Sequence, residues 1–202
     1  MIMSFLENLD WRYAVKSFDI DKKITKEKLQ KILYSIEMTP TSFGLEPYRV
    51  DVIENSEDLK KIQGFSFNQA QVGNCSHLLV FSARTDIMDR IDAYLQLASG
   101  GDKEVLKTLE GYGDVMRGFV QSQSSEEILV WAKNQVHIAL GFALAACAEL
   151  RVDSCAIGGF LPDKIQEFLK LDEKFIPTVL LPIGFRVENP KSKKVRFGLD
   201  DL

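Results

Sequence analysis

The sequence is poor in the residues that bind metals or form cross-links. Its 202 residues include three cysteines and two histidines. Cys75, Cys147 and Cys155 form no C-x-x-C pair, and an odd number cannot close a full disulfide set. Cys147 and Cys155 lie in apolar stretches, so buried free thiols in a reducing compartment are expected. His77 and His137 stand in hydrophobic surroundings without a partner at ligand spacing, which argues against zinc and leaves no metal assigned. An excess of positive charge is also missing. The 25 Lys and Arg face 29 Asp and Glu, a net charge of -4. A broad nucleic-acid face is therefore not expected, although a local basic pocket is compatible with this balance.

Long hydrophobic runs are absent as well. The longest, Ile138 to Ala148, falls well short of the roughly 20 residues that span a bilayer, and it reads as a buried helix. The opening Met1-Ile2-Met3-Ser4 has neither the basic nor the apolar region of a signal peptide. These features predict a cytoplasmic protein with no membrane partner. No repeat, low-complexity tract or linker divides the chain, so one domain over residues 1–202 is expected. A complete dinucleotide fingerprint is missing too. Gly111-Tyr112-Gly113-Asp114-Val115-Met116 lacks the third glycine and follows no clear strand.

The chain does carry clear local signals. Ser4-Phe5-Leu6-Glu7 is a capping box for a short helix ending near Trp11. Arg12 to Phe18 reads as extended. After Thr25, the spacing of Leu29, Ile32, Leu33 and Ile36 predicts an amphipathic helix that Pro40 stops. Tyr48 to Ile53 alternates like a half-buried strand, and Ser56-Glu57-Asp58 opens another helix with acids in its first turn. The apolar run Leu78 to Phe81 predicts a central strand. Residues 84–123 read as helical in places, broken at Gly100-Gly101 and Gly111-Tyr112-Gly113. A second capping box at Ser124 to Glu127 starts the longest helix, to about Arg151, which is apolar nearly all round from Trp131 and is expected to be buried, in part against a second subunit. A loop at Ile157 to Pro162, a helix from Asp163 to Leu171, and a strand from Val179 to Ile183 follow. Pro182 places that strand at an end or an edge. The order is not a regular βαβ alternation, which favours α+β.

Four features could carry chemistry. In an extended Arg12-Tyr13-Ala14-Val15-Lys16 segment, Arg12, Ala14 and Lys16 point the same way, and two cations around one small residue make an anion seat. Lys194-Val195-Arg196 repeats the pattern in the tail. The loops Thr41-Ser42-Phe43-Gly44 and Gly158-Gly159 let backbone approach a flat ligand. By spacing alone, each reads as an ordinary solvated stretch or turn.

Taken together and in order, they resemble the FMN-dependent nitroreductase family over nearly the full chain. The resemblance is carried by Arg12 to Phe18, Thr39 to Tyr48, Phe67-Asn68-Gln69-Ala70-Gln71 with Cys75-Ser76-His77, Ile157-Gly158-Gly159-Phe160, and Lys194-Val195-Arg196. It implies an α+β fold with a central, mostly antiparallel sheet flanked by helices, assembled as an intertwined homodimer with FMN at the subunit interface. Arg12, Lys194 and Arg196 then correspond to phosphate ligands, with Tyr13 and Ala14 beside them, and Lys16 to the cation near the flavin N1–O2 edge. Asn68 and Gln71 correspond to polar contacts of the ring or ribityl chain. Pro40, Thr41, Ser42 and Gly44 match the loop contributed by the other subunit. Ile157, Gly158 and Gly159 match the loop whose backbone N–H at Gly158 faces flavin N5. Tyr112 and Phe119 are expected in the wall of the substrate pocket.

Three departures stand out. Ala14 replaces a frequent serine, Gln71 a frequent lysine, and Gly158 a residue with a side chain. The activity implied is ping-pong electron transfer from NADH or NADPH to a quinone, nitroaromatic or similar flat acceptor, with the flavin and no protein nucleophile carrying the chemistry. The alternatives are a specialised flavin redox enzyme of the same fold and a flavin-binding protein without turnover.

Overall fold

Ser4 begins the first helix as the capping box predicts. Its hydroxyl accepts from the Glu7 N–H, and the Glu7 carboxylate accepts from the Ser4 N–H at 2.6 Å. The computed structural model describes residues 4–198. Within them run α1 (Phe5–Trp11), α2 (Lys26–Glu37), β1 (Tyr48–Ile53), α3 (Ser56–Phe65), α4 (Ala70–Gly73), β2 (His77–Arg84), α5 (Ile87–Ala98), α6 (Lys103–Gln121), α7 (Ser125–Glu149), β3 (Asp153–Ser154), α8 (Pro162–Leu169) and β4 (Phe175–Gly184). Thr25 caps α2 through the Lys28 N–H, and α2 ends just ahead of Pro40. A second capping box, Ser124 with Glu127, starts α7.

The four strands form an antiparallel sheet in the order β1-β2-β4-β3. Because side chains alternate across a strand, β2 feeds two cores. Leu79, Phe81 and Ala83 pack with Ile32 and Ile36 of α2 and with Ala139 and Ala143 of α7. Leu78 and Val80 pack with Leu59 and Ile62 of α3 and with Ile165 of α8. A third core joins Leu45 to Ile91 and Leu95 of α5, Met116 of α6 and Ile128 of α7. The fold is therefore α+β with a helix-flanked antiparallel sheet, as expected.

Two local expectations fail. Pro182 does stand near the end of β4, which closes at Gly184, but β4 is not at an edge: it lies between β2 and β3. Pro182 is tolerated there because its nitrogen faces β3 where pairing lapses between Ser154 and Ile157, while its carbonyl accepts from the Cys155 N–H at 3.1 Å. Pro177 sits beside a bulge opposite Ser82. Gly111-Tyr112-Gly113 does not break its region, since α6 runs straight through it. A glycine within a helix costs only about 1 kcal/mol, and Gly113 permits close approach: a Cβ there would lie 2.9 Å from Leu95 Cδ1 of α5. The break at Gly100-Gly101 is real, with φ of 59° and 79°.

One side of α7 is buried against the sheet, through Ala132, Val136, Ala139, Ala143 and Cys147. Its other side leaves Val130, Ile138 and Phe142 exposed. The helix is long and apolar enough to cross a membrane by composition, yet here it packs across a sheet. All three cysteines are free and buried. Burial pushes the Cys75 thiol up to about 12 and raises that of Cys147 strongly.

Candidate functional site

Residues 12–18 run along the β3 edge of the sheet. Ala14 pairs in parallel with Ser154, the Val15 N–H donates to the Ser154 carbonyl at 3.3 Å, and Phe18 pairs with Arg186. This extended course places Arg12, Ala14 and Lys16 on one cleft. The cleft, about 370 Å³, is closed on its far side by Ser192 to Arg196 of the tail. Sequence segments nearly the whole chain apart thus meet, and Arg12, Tyr13, Ala14, Lys16, Lys194 and Arg196 share one concavity.

Side-chain contacts hold the two walls together. The Lys194 ammonium donates to the carbonyls of Leu9 and Asp10, at 2.5 and 2.7 Å. These are carbonyls of the last turn of α1, the negative end of its dipole. Tyr13 Oη lies 3.0 Å from Ser192 Oγ. Trp11, the residue before Arg12, lies under two guanidinium groups, Arg186 at 4.4 Å and Arg151 at 4.7 Å from its ring centroid. Arg186 in turn is ion-paired to buried Asp153. Arg151 donates to Asn8 Oδ1 at 2.7 Å, and Asn8 donates to Glu149.

The cleft is electrostatically incomplete. Half-buried Arg12 makes no hydrogen bond or ion pair to another side chain among the described residues. Its guanidinium is held below the ordinary arginine value by burial first and by Arg196 second. Lys194 is likewise lowered, by burial first and then by Arg12. The Asp10 carboxylate offsets this only in part at Lys194 and forms no ion pair with it among the described residues. Cations that repel one another in this way fit a multiply charged anion, and a phosphate monoester supplies both the charge and the geometry for Arg. Lys16 points its ammonium at the buried Cys155 thiol, 3.5 Å away. No local pattern in the sequence signals this contact.

Beyond Cys155 the same edge continues into the glycine loop. Ile157 exchanges two backbone bonds with Leu180 of β4, while Gly158 and Gly159 are exposed. A Cβ at Gly158 would meet nothing within 4 Å, so this position leaves open space where a side chain could stand. Gln71 is buried and Asn68 exposed, the latter in left-handed backbone with its side-chain amide unbonded among the described residues. Gln69, which sequence reasoning did not single out, joins this group to the loop through the Gly159 carbonyl.

The Pro40–Gly44 loop lies elsewhere. The Ser42 N–H donates to Gln135 of α7, Thr41 Oγ1 accepts from the Glu46 N–H, and Phe43 and Gly44 take φ of 59° and 70°. Phe43 packs on Phe119 and Tyr112 of α6, with ring centroids 5.4 and 6.3 Å away. Phe119 also meets Trp131. The proposed pocket residues and this loop therefore form an aromatic cluster of their own. No hydrogen bond, ion pair or ring contact among the described residues ties it to the cationic cleft.

His77 is not alone, contrary to the sequence reading. The antiparallel β1–β2 pairing places Glu54 beside it, 3.2 Å from Nε2, and its Nδ1 lies 2.9 Å from Ser76 Oγ. No group of three or more potential metal ligands forms among the described residues.

A helix-flanked antiparallel sheet with a cationic cleft on its edge defines the class as α+β. The model of the nitroreductase family matches residues 9–185. A Staphylococcus saprophyticus protein assigned by name to the NAD(P)H nitroreductases is 33% identical, over 100% of this chain and 96% of its own. A crystal structure of a Staphylococcus epidermidis protein described as an NAD(P)H:FMN oxidoreductase superposes with a TM-score of 0.88 at 22% identity, covering 100% of this chain and 95% of that one. An Exiguobacterium sibiricum nitroreductase crystallised in complex with FMN gives 0.87 at 21% identity, covering 98% and 95%. The chain belongs to the nitroreductase family.

Proposed function

We propose that this chain binds FMN as a homodimer and passes electrons from NADH or NADPH to a flat, electron-poor acceptor such as a quinone or nitroaromatic. The observation that carries this reading is the Arg12–Lys194–Arg196 cluster, mutually repelling and with no ion pair to a carboxylate among the described residues. It is supported by family membership and by the FMN held in a protein of the same fold.

Bound FMN supplies the redox chemistry, accepting and releasing electron pairs. The chain's own residues bind and orient. Arg12, Lys194 and Arg196 would hold the phosphate, with Tyr13 and Ala14 lining the same wall. Lys16, which lines the same cleft, would add a positive charge there and so favour an anionic state of a bound flavin. Asn68 offers an amide and Gly158 a backbone N–H, both unbonded among the described residues, and Ile157 and Gly159 carry that loop. No group acts as a nucleophile, and the nicotinamide and the acceptor use the site in turn.

A second copy of the chain completes the site. The exposed apolar face of α7, with Val130, Ile138 and Phe142, is suited to bury against its equivalent. The partner's Pro40–Gly44 loop, with the Tyr112–Phe119 cluster behind it, then supplies the missing wall. Free, buried thiols suit a reducing cytoplasm.

The purified protein is expected to be yellow, dimeric by sedimentation, and bleached by anaerobic NADH or NADPH. A colourless protein that gains no flavin spectrum from added FMN would refute the reading. A yellow protein that neither nicotinamide bleaches would reduce it to flavin binding without turnover. An FMN-loaded monomer would remove the shared site.

A further inference from the structure

Two glutamines link the turn before α4 to the glycine loop after β3. Gln71 is buried, and its Nε2 donates to Gln69 Oε1 at 3.0 Å. Gln69 Nε2 donates to the Gly159 carbonyl at 2.8 Å. The pair is directional: Gln71 occupies the acceptor end of the Gln69 amide and leaves its donor end facing Gly159. Gln69 also leaves a turn of unusual geometry. Phe67 and Asn68 are both left-handed, with φ of 53° and 58°. Such backbone is uncommon for a bulky aromatic and persists only where surrounding contacts enforce it. Here the Asn68 N–H donates to the Gln63 carbonyl and the Gln69 N–H to that of Ser66, at 3.0 and 3.1 Å.

The loop has few other holds. Its start is pinned where Ile157 exchanges bonds with Leu180, and its end where the Leu161 N–H donates to the Phe65 carbonyl at 2.9 Å. Between them stand Gly158 and Gly159, the residue type with the most backbone freedom to lose. The bond from Gln69 is the one hydrogen bond to the backbone of either glycine among the described residues. It selects an orientation of the Gly159 peptide and, through the short segment, of the unbonded Gly158 N–H.

We propose that Gln69, oriented by Gln71, is a positioning residue of the redox site: it fixes the Gly158–Gly159 backbone that bound FMN meets. The inference rests on the FMN reading above. Buried Gln71 serves the loop by holding the Gln69 amide in the sense that points its donor at Gly159.

The test compares the full-length wild type with Gln69→Leu and Gln69→Glu. Three quantities are measured: FMN affinity, the midpoint potential of the bound flavin, and backbone amide exchange of residues 158–160 before FMN is added. Losing one neutral hydrogen bond is expected to weaken FMN binding roughly three- to tenfold, to speed exchange in the loop and to shift the potential. A glutamate carboxylate cannot donate, but its protonated form can. Gln69→Glu is therefore expected to resemble Gln69→Leu at pH 8 and to recover toward wild type as the pH falls, whereas Gln69→Leu does not recover. Wild-type affinity, potential and loop exchange in a normally folded Gln69→Leu protein would overturn the proposal alone. A wild type that takes up no FMN would instead refute the FMN reading, and unchanged loop exchange in Gln69→Leu would then overturn the positioning role as well.

Discussion

The guanidinium of Arg186 lies 4.4 Å from the ring centroid of Trp11, and it is held there by an ion pair with Asp153, which is 4% exposed. This contact joins the end of β4 to the end of α1 and sets the exit of the chain into Arg12. Asp153→Ala leaves a largely buried guanidinium without its counter-charge, a change expected to cost up to about 3 kcal/mol. Equilibrium urea unfolding checks it, and a loss below about 1 kcal/mol would mean that solvent already screens the pair.

Arg12→Ala is expected to separate binding from stability. A charge-assisted bond to phosphate contributes roughly 1.5–3 kcal/mol, so FMN affinity should fall by about one to two orders of magnitude. Without FMN the same change removes repulsion from Arg196 and Lys194, and the melting temperature should hold or rise. Isothermal titration and melting of the FMN-free protein read the two effects. An Arg12→Ala/Arg196→Ala protein with wild-type FMN affinity would contradict the phosphate assignment.

His77 should limit stability in mild acid. Burial, more than any other influence, holds its protonation below the ordinary 6.5, against the opposing pull of Glu54 and with a smaller push from Lys23. The unfolded chain therefore takes up this proton first as the pH drops. The contribution of His77 is complete above pH 6.5 and is lost progressively below it, through the lower folded midpoint. NMR titration should find the His77 midpoint under 6.5, and His77→Gln should flatten the acid side of the stability curve.

Gly111 and Gly44 should respond oppositely to alanine. Gly111 lies inside α6, where an added methyl would meet nothing within 4 Å, so Gly111→Ala is expected to stabilise by about 0.5–1 kcal/mol. Gly44 has φ of 70°, and its Cβ would come 3.3 Å from Tyr94, so Gly44→Ala should destabilise and disturb the loop at Phe43. Thermal melts of both proteins decide the matter, and equal shifts would remove the distinction.

Much of the fold was legible in short stretches of sequence. The capping boxes at Ser4 and Ser124, the α2 stripe and the apolar run of β2 depend on neighbours within a turn or a strand, and each stands where its pattern put it. The misread glycines of α6 and Pro182 of β4 were local signals overruled by packing. A helix interior tolerates Gly113 because Leu95 presses against it, and a central strand tolerates Pro182 because the neighbouring strand lapses there.

The site divides along the same line. The residue types, cations around a small residue and glycines in loops, looked ordinary by spacing alone, and it was the resemblance of their order along the chain to the nitroreductase family that implied a flavin site. Composition likewise set the acidic balance and the absence of a cysteine framework. Only the tertiary structure decided which groups meet: Lys194 with the carbonyls that end α1, Lys16 with Cys155, Gln69 with Gly159, and Phe43 with the aromatics of α6. The reason is physical. Caps and stripes arise from interactions between residues a few positions apart, whereas these contacts join segments that only the closing of the sheet and the packing of its helices bring within reach of one another.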